Sequence, residues 1–350
     1  MTAISEARPH LRIATEEAWA PPEVIALYRR HLSDGTIDDI GFSSLMGYFL
    51  GSSHPQPQAV VARLQDAADR RIADMDATGI DHQVLALTAP GTQVLDAAEG
   101  VAVARLANDR LSGIVRANPT RFSALAAVSY EDVDAAVLEI RRAVQELGLR
   151  GLILNDHIRG GYIDDPRFAP LLAELEDLDV PLYLHPNTPP DSMITPYREA
   201  GLDGAVHGFG ASAGLHLLRI ITSGLLDRHP RLRLVVGHLG EGLPFWLHRI
   251  DHMHGKQVAS GRYEAIKPLA QAPSAYFSSQ IWLTTSGMPW APAIMFTRDV
   301  IGADRVMYAM DYPYQYDITE VEAQEALPIS ADEKADFFER TARKVFGLTF

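Results

Sequence analysis

Short runs of apolar and β-branched residues recur along the chain, and segments with the 3.6-residue period of an amphipathic helix separate them. The runs predict eight strands, at 11–17, 82–88, 122–129, 151–155, 181–185, 232–238, 281–286 and 305–311. The segments between them predict helices, among them 60–77, 97–118, 132–147, 165–178, 215–228 and 331–346. Eight strands that alternate with helices favour an α/β fold of the closed (β/α)₈ TIM-barrel type over a doubly wound open sheet.

Two longer segments interrupt this repeat, and each comes after a predicted strand. Residues 34–58 follow the first strand and are rich in Gly, Ser, Pro and aromatic residues, and residues 187–210 follow the fifth. In a parallel barrel, segments that follow strands lie at the carboxyl end, where these barrels form their active sites. We therefore predict a single domain over 1–350 in which the insertion at 34–58 covers the active site.

The composition excludes several classes of function. The 350 residues carry a net charge of -14, which argues against nucleic-acid and membrane partners because phosphate-rich surfaces require a basic face. There is no cysteine, so thiolate metal sites, disulfides and cysteine nucleophiles are excluded. The first residues lack the apolar stretch of a signal peptide, and no apolar run reaches the roughly 18 residues that span a bilayer. We expect a cytoplasmic protein.

Side chains that bind metals stand at the ends of four predicted strands. The first strand ends in Glu16-Glu17, the fifth in His185, the sixth in His238 and the eighth in Asp311. Each alone has a structural explanation, such as a loop hydrogen bond or a turn cap. Because four strand ends converge at the mouth of a barrel, together they favour one divalent-ion site. Carboxylates with imidazole and no sulfur suit Mn²⁺ first and Zn²⁺ next.

Several longer motifs strengthen this interpretation. TEEAW, YLHPNTPPDSM, GLHLLR, VVGHLGEGLPFWLHRIDHMH and MYAMDYPYQY resemble the non-oxidative aromatic acid decarboxylases of the amidohydrolase superfamily, and most of all their 5-carboxyvanillate decarboxylase branch. The similarity runs from about residue 11 to residue 346. It implies that Glu16, His185 and Asp311 are the metal ligands and that His238 is a further active-site histidine. Many relatives have Glu-x-His on the first strand, whereas Ala18 stands here, as it does in the carboxyvanillate branch.

The resemblance implies loss of CO₂ from a hydroxylated aromatic acid, either 5-carboxyvanillate or a related hydroxybenzoate. Protonation of the carboxylated ring carbon avoids an aryl carbanion, and a divalent ion would stabilise the phenolate that supplies the electrons. We assign Asp311 as the general acid, with His238 as the second catalytic residue. No dinucleotide fingerprint or P-loop is present, so we expect one divalent metal and no organic cofactor.

Four further residues are candidates for substrate binding. His216 and Arg219 stand three apart in a predicted helix and so share one face, and Arg249 lies one helix further on. In the family such residues contact the substrate, although either arginine could instead pair with a nearby acid. Tyr314 follows Asp311 by three residues and could contact the substrate or simply pack.

Two other functions are compatible with a metal-binding barrel. A metal-dependent hydrolase or hydratase could use the same fold, but mononuclear hydrolases of this superfamily usually begin with His-x-His, which is absent at residues 16–18. A barrel kept only as a binding scaffold would be expected to lose its strand-end ligands, which are present here. The resemblance also implies a homodimer or homotetramer.

The insertion at 34–58 leads to a prediction about specificity. Between Arg30 and Arg63 the chain has no Lys or Arg, and Gln56 stands near the position where we expect carboxyvanillate decarboxylases to place an arginine. Without that charge the pocket would suit a second carboxylate poorly. Four residues of the segment would make it more apolar: Phe42, Leu45, Tyr48 and Phe49. We therefore predict a preference for ortho- or para-hydroxybenzoates with a single carboxylate.

Overall fold

Eight parallel strands alternate with helices in the computed structural model, which describes residues 8–350. The strands are β1 (Ile13–Trp19), β2 (His82–Leu87), β3 (Phe122–Ala124), β4 (Leu152–Asn155), β5 (Leu182–His185), β6 (Leu234–Val236), β7 (Ile281–Thr284) and β8 (Val306–Met307). Every predicted strand is present, and most are shorter than the apolar runs that predicted them. The ends of those runs leave the sheet to form the loops of the carboxyl face. The predicted TIM-barrel fold is confirmed.

The helices lie between and after the strands. In chain order they are α1 (Pro22–Asp34), α2 (Ile40–Gly51), α3 (Pro55–Leu64), α4 (Asp69–Thr78), α5 (Ala97–Ala117), α6 (Val133–Gln145), α7 (Ala169–Asp177), α8 (Asp191–Glu199), α9 (Gly208–Thr222), α10 (Leu225–Arg228), α11 (His238–Glu241), α12 (Leu243–Ser260), α13 (Pro273–Ser279), α14 (Ala291–Ile301), α15 (Ile318–Glu325), α16 (Ala331–Ala335) and α17 (Thr341–Phe346). Within residues 8–350, no helix has the length and apolar character needed to cross a membrane.

Some predicted helices are divided in the structure. The segment 60–77 belongs to two helices, α3 and α4, because Asp66 accepts the backbone N–H groups of Ala68 at 2.9 Å and Arg71 at 3.3 Å and so caps the second helix. The segment 215–228 is divided at Gly224, which has a left-handed φ of 72°. A π-helical turn at Asp336–Arg340 interrupts the segment 331–346. Periodicity alone does not reveal such breaks.

Two seams close the barrel. One sheet contains β1-β2-β3 and the other contains β4 to β8 in order, and all neighbours are parallel. At the seam between β3 and β4, Arg150 N–H donates to the Ala124 carbonyl at 2.8 Å. At the seam between β8 and β1, Ala18 N–H donates to the Tyr312 carbonyl at 2.7 Å and Thr15 Oγ1 donates to the Tyr308 carbonyl at 2.8 Å. Side chains thus share in closing the barrel beside the strand that carries Glu16.

The two insertions pack against each other at the carboxyl end. Residues 34–58 contain α2, where Ser44 Oγ donates to Asp203 of the second insertion at 2.7 Å. A Cβ at Gly41 would lie 2.0 Å from Thr188 Oγ1, so only glycine permits this close approach. Phe42 corrects one expectation, because it is 2% exposed and packs edge-on against Tyr28 in the core. It belongs to the hydrophobic core and is not among the residues that line the cavity beside His238 and Asp311.

Candidate active site

Four side chains that the sequence singled out meet at the carboxyl end of the barrel. Glu16 lies on β1, His185 ends β5, His238 follows β6 and Asp311 follows β8. One ligand atom each from Glu16, His185 and Asp311 lie within 4.8 Å of one another. His238 Nε2 is 3.8 Å from Glu16 Oε1 and 4.0 Å from Asp311 Oδ2. The barrel therefore brings together the predicted ligand set and the predicted catalytic histidine.

The two oxygens of the Glu16 carboxylate have different environments. Oε2 accepts hydrogen bonds from the Tyr183 hydroxyl and from Thr284 Oγ1, the latter at 2.9 Å. Oε1 is buried, lies 3.6 Å from His185 Nε2 and has no hydrogen-bond partner among the described residues. A buried carboxylate oxygen is costly unless a donor or a cation satisfies it. An unpartnered carboxylate oxygen beside an imidazole and a second carboxylate fits a divalent ion such as Mn²⁺ or Zn²⁺.

Gly237 leaves space for the Glu16 carboxylate. A Cβ at this position would lie 2.6 Å from Oε2 and 2.7 Å from Oε1, closer than real Cβ contacts. The Gly237 backbone has φ -70° and ψ 179°, which any residue can adopt. Glycine is therefore needed here for room and not for its backbone freedom.

His238 opens a left-handed turn that the sequence did not predict. All five residues from His238 to Gly242 have positive φ, between 50° and 77°. Each non-glycine residue in this conformation costs about 1–2 kcal/mol, so the turn is strained. The turn brings Glu241 back to His238, with Oε1 3.0 Å from the Nδ1 of the ring. Glu241 is thus a site residue that sequence reasoning missed, and its only signal was the His-x-x-Glu spacing after a strand.

Charges in the cluster shift the pKa values of His238 and Asp311. Burial favours neutral His238, but the negative charges of Glu241 and Glu16 outweigh it and raise the pKa of His238 well above its usual range. Burial raises the pKa of Asp311, while the adjacent His238 opposes that change. Asp311 also has a left-handed φ of 74°. The site therefore holds a carboxyl with an increased affinity for protons beside an imidazolium.

A cavity of about 320 Å³ opens onto His238 and Asp311. Its other walls are Ala205, Val206, His207, Phe209, Gly210, Ala211, Glu241, Gly242, Gly287, Met288 and Gln315. The volume lies at the lower end of the range for small-molecule sites. Neither lysine nor arginine lines it within the described part of this chain. The cavity therefore suits a small, largely apolar ligand that presents its polar groups toward the candidate metal ligands.

Tyr314, the fourth candidate substrate contact, packs between the insertion at 34–58 and the loop after β2. Its hydroxyl is 2.7 Å from Thr88 Oγ1, and its ring meets Phe49 of α2 edge-on with centroids 5.4 Å apart. Burial and then the negative charge of Asp311 raise its pKa, so the phenol stays protonated at neutral pH. Tyr314 thus links the insertion at 34–58 to the segment that carries Asp311.

Three other predicted substrate contacts are not part of the cluster. His216 is fully buried, with Nδ1 3.1 Å from Asp156 and Nε2 accepting the Ile163 N–H at 3.0 Å, so both ring nitrogens are occupied. Arg219 is exposed and forms a bidentate pair with Asp164 at 2.9 and 3.0 Å. The assignments of His216 and Arg219 to the substrate are therefore corrected. Helical spacing correctly put them on one face, but that face meets the segment that follows β4.

Arg249 has a different environment from these two residues. It is exposed on α12, the helix that follows the left-handed turn. It does not line the cavity beside His238 and Asp311. Its substrate contact therefore stays a prediction.

Comparisons with known proteins identify the family of this chain. Residues 27–348 match the family model described as amidohydrolase, and the chain belongs to that family. It is 36% identical over 295 residues to the gamma-resorcylate decarboxylase of Rhizobium radiobacter, covering 82% of this chain and 89% of the relative. It is 34% identical over 348 residues to the gamma-resorcylate decarboxylase of Rhodococcus jostii, covering 96% and 98%.

Solved structures resemble the whole barrel. The 5-carboxyvanillate decarboxylase of Novosphingobium aromaticivorans, complexed with manganese and 4-hydroxy-3-methoxy-5-nitrobenzoic acid, has a TM-score of 0.95 and 48% identity, with 97% of each chain covered. The 5-carboxyvanillate decarboxylase of Sphingomonas paucimobilis has a TM-score of 0.91 and 37% identity, covering 97% of this chain and 99% of the other. The family predicted from the sequence motifs is confirmed.

Proposed function

We propose that this chain is a metal-dependent, non-oxidative carboxy-lyase that removes CO₂ from a hydroxylated aromatic carboxylic acid, 5-carboxyvanillate or a related hydroxybenzoate. The observation that carries the proposal is the convergence of Glu16, His185 and Asp311 within 4.8 Å in a barrel that matches a manganese-bound decarboxylase with a TM-score of 0.95. These three residues would hold one divalent metal, Mn²⁺ in preference to Zn²⁺. The chemistry needs no organic cofactor.

The bound ion would act as a Lewis acid that favours the phenolate form of the substrate and aligns its neighbouring carboxylate. Asp311 then delivers a proton to the ring carbon that bears the carboxylate. The bond from that carbon to the carboxylate breaks, its electron pair restores the aromatic ring, and CO₂ departs. Asp311 regains its proton from solution, so each turnover consumes one proton and releases one CO₂. Asp311 suits this general-acid role because it lines the cavity and lies 4.0 Å from His238 Nε2, with which it can exchange protons.

His238 assists beside the Glu16 and Asp311 carboxylates. Its Nε2 faces both Glu16 and Asp311, while Glu241 holds Nδ1 at 3.0 Å and fixes the direction of the ring. The positive imidazolium would attract an anionic substrate and exchange protons with Asp311. Tyr314 and Arg249 are the other proposed substrate contacts. Residues 34–58 act as the cover, since Phe49 of α2 packs on Tyr314.

A homodimer or homotetramer and a cytoplasmic location are also proposed. Several large apolar side chains near the cavity mouth are exposed, including Phe245 at 73%, Trp290 at 64% and Trp246 at 51%. Clustered exposed aromatic residues are characteristic of surfaces that pair with another protein. Light scattering after size-exclusion chromatography tests the oligomer. The location is proposed from composition, and cell fractionation tests it.

The catalytic proposal is tested by turnover in D₂O with Asp311→Asn as the variant. The wild type should place one deuterium on the ring carbon that lost CO₂, because the proton comes from solvent by way of Asp311. The variant keeps the side-chain volume but has no acidic proton, so turnover should be lost in a folded protein. Asp177→Asn, which changes an exposed aspartate paired with Arg231, is the matched control. Near-normal rates in Asp311→Asn would rule out this residue as the acid.

A further inference from the structure

A second buried carboxylate, Glu17, lies behind the candidate metal site and contacts the backbone on both sides of Asp311. Its Oε1 accepts the Met310 N–H at 3.1 Å, and its Oε2 accepts the Tyr312 N–H at 3.1 Å. Glu17 is 1% exposed. The two oxygens of one carboxylate thus bridge the peptide groups that flank the proposed acid.

Two further buried residues hold Glu17 in place. Gln83 Nε2 donates to Glu17 Oε2 at 3.3 Å, and Gln83 Oε1 accepts from the Arg71 guanidinium at 3.2 Å. Arg71 is fully buried, donates to the Ala18 carbonyl at 2.7 Å and lies 4.4 Å from the centre of the Tyr312 ring. Buried polar groups are costly to desolvate unless they are hydrogen-bonded, so three such side chains joined in a row behind the site suggest a function beyond stability.

The segment that carries Asp311 lies beyond the last strand, so contacts other than the hydrogen bonds of a sheet hold it. Strand β8 ends at Met307, and beyond it Thr15 Oγ1 of β1 donates to the Tyr308 carbonyl and Ala18 N–H of β1 donates to the Tyr312 carbonyl. The φ of 74° at Asp311 costs about 1–2 kcal/mol for a residue with a side chain. Such a conformation persists only where surrounding contacts enforce it. Glu17 supplies two of these contacts on the immediate neighbours of Asp311.

We propose that Glu17, supported by Gln83 and Arg71, is a positioning residue that directs the Asp311 carboxylate toward Glu16 and His185. It acts through the backbone and has no contact with substrate. The effect of Glu17 on catalysis rests on the proposed function. Its effect on the affinity for the metal does not, and can be tested without substrate. Loss of Glu17 should loosen one ligand of three while leaving the barrel folded.

The test is Glu17→Gln, measured by calorimetric titration of Mn²⁺ alone into chelator-treated protein and by steady-state kinetics. The variant keeps the volume but replaces one acceptor oxygen with an NH₂ group that faces another donor. We expect Mn²⁺ binding to weaken about tenfold to hundredfold. In the reconstituted enzyme kcat should fall by a similar factor with KM nearly unchanged, because Glu17 does not touch substrate.

Glu139→Gln is the matched control, because Glu139 is also a buried carboxylate and pairs with Arg142 in the helical layer. It should leave Mn²⁺ affinity unchanged. Should Glu17→Gln fail to fold, Gln83→Met removes the amide that joins Glu17 to Arg71 but keeps the Glu17 side chain, and it should weaken Mn²⁺ binding in the same direction, by a smaller factor. Wild-type Mn²⁺ affinity in folded Glu17→Gln, or equal losses in Glu139→Gln, would overturn the inference. A wild-type chain that binds Mn²⁺ but decarboxylates no aromatic acid would instead refute the proposed function. The ratio of the Mn²⁺ affinities of Glu17→Gln and the wild type would still decide the role of Glu17.

Discussion

Replacing Gly237 with alanine should displace the Glu16 carboxylate and weaken both metal binding and turnover. The new Cβ would lie 2.6 and 2.7 Å from the two carboxylate oxygens, whereas ordinary contacts begin at 3.4 Å, so the carboxylate must retreat by roughly 0.8 Å. Tyr183 and Thr284 hold the same carboxylate by hydrogen bonds, so the retreat also strains them. A displacement near 1 Å at a reacting centre costs on the order of a hundredfold in rate.

We therefore expect Gly237→Ala to bind Mn²⁺ about tenfold to hundredfold more weakly and to lose on the order of a hundredfold in kcat/KM, equivalent to about 2.7 kcal/mol. Calorimetric titration with Mn²⁺ and initial-rate assays measure the two effects. Gly113→Ala, in the interior of α5 with nothing within 4 Å of the new Cβ, is the control and should stabilise its helix slightly. Wild-type metal affinity and turnover in Gly237→Ala would refute the claim that this glycine makes room for Glu16.

Two further predictions concern specificity and stability. Neither the described lining of the cavity nor the insertion at 34–58 supplies a lysine or arginine to bind a second carboxylate. Ortho- or para-hydroxybenzoates with one carboxylate should therefore exceed 5-carboxyvanillate in kcat/KM by roughly ten- to hundredfold, the effect of one charge-assisted hydrogen bond. A much higher kcat/KM for 5-carboxyvanillate would contradict this prediction and point to Arg249 as the group that binds the second carboxylate. Burial lowers the pKa of His82 from 6.5 to about 4, so the unfolded chain gains a proton between these values that the folded chain does not, and the free energy of unfolding decreases as pH falls through this window. Between pH 7 and pH 4.5, the free energy of unfolding measured in urea should decrease by about 2.5 kcal/mol less in His82→Gln than in the wild type. Equal decreases in the two proteins would argue against His82 as the cause.

The ligand set could be predicted because it depends on strand ends. In a parallel barrel the carboxyl ends of the strands converge, so Glu16, His185 and Asp311 needed only correct strand positions to be placed together. His216 and Arg219 could not be placed in this way. Helical periodicity identifies their shared face but does not say whether that face meets the substrate or, as here, Asp156 and Asp164 of the segment that follows β4.

Other parts of the site depend on backbone conformations that the sequence does not signal. Glu241 reaches His238 only through a left-handed turn, and such a turn includes Leu239, a residue that rarely adopts positive φ. The space beside Gly237 depends on the side-chain direction of Glu16, more than 200 residues away in the chain. Tertiary packing determines both features.

Metal removal tests the central claim most directly. Chelated protein should release no CO₂ from hydroxybenzoates, and one equivalent of Mn²⁺ per chain should restore turnover, with no organic cofactor added. Asp311→Asn should regain no turnover on the same addition, since metal alone cannot replace the proton donor. Full decarboxylation by metal-free protein would contradict the account.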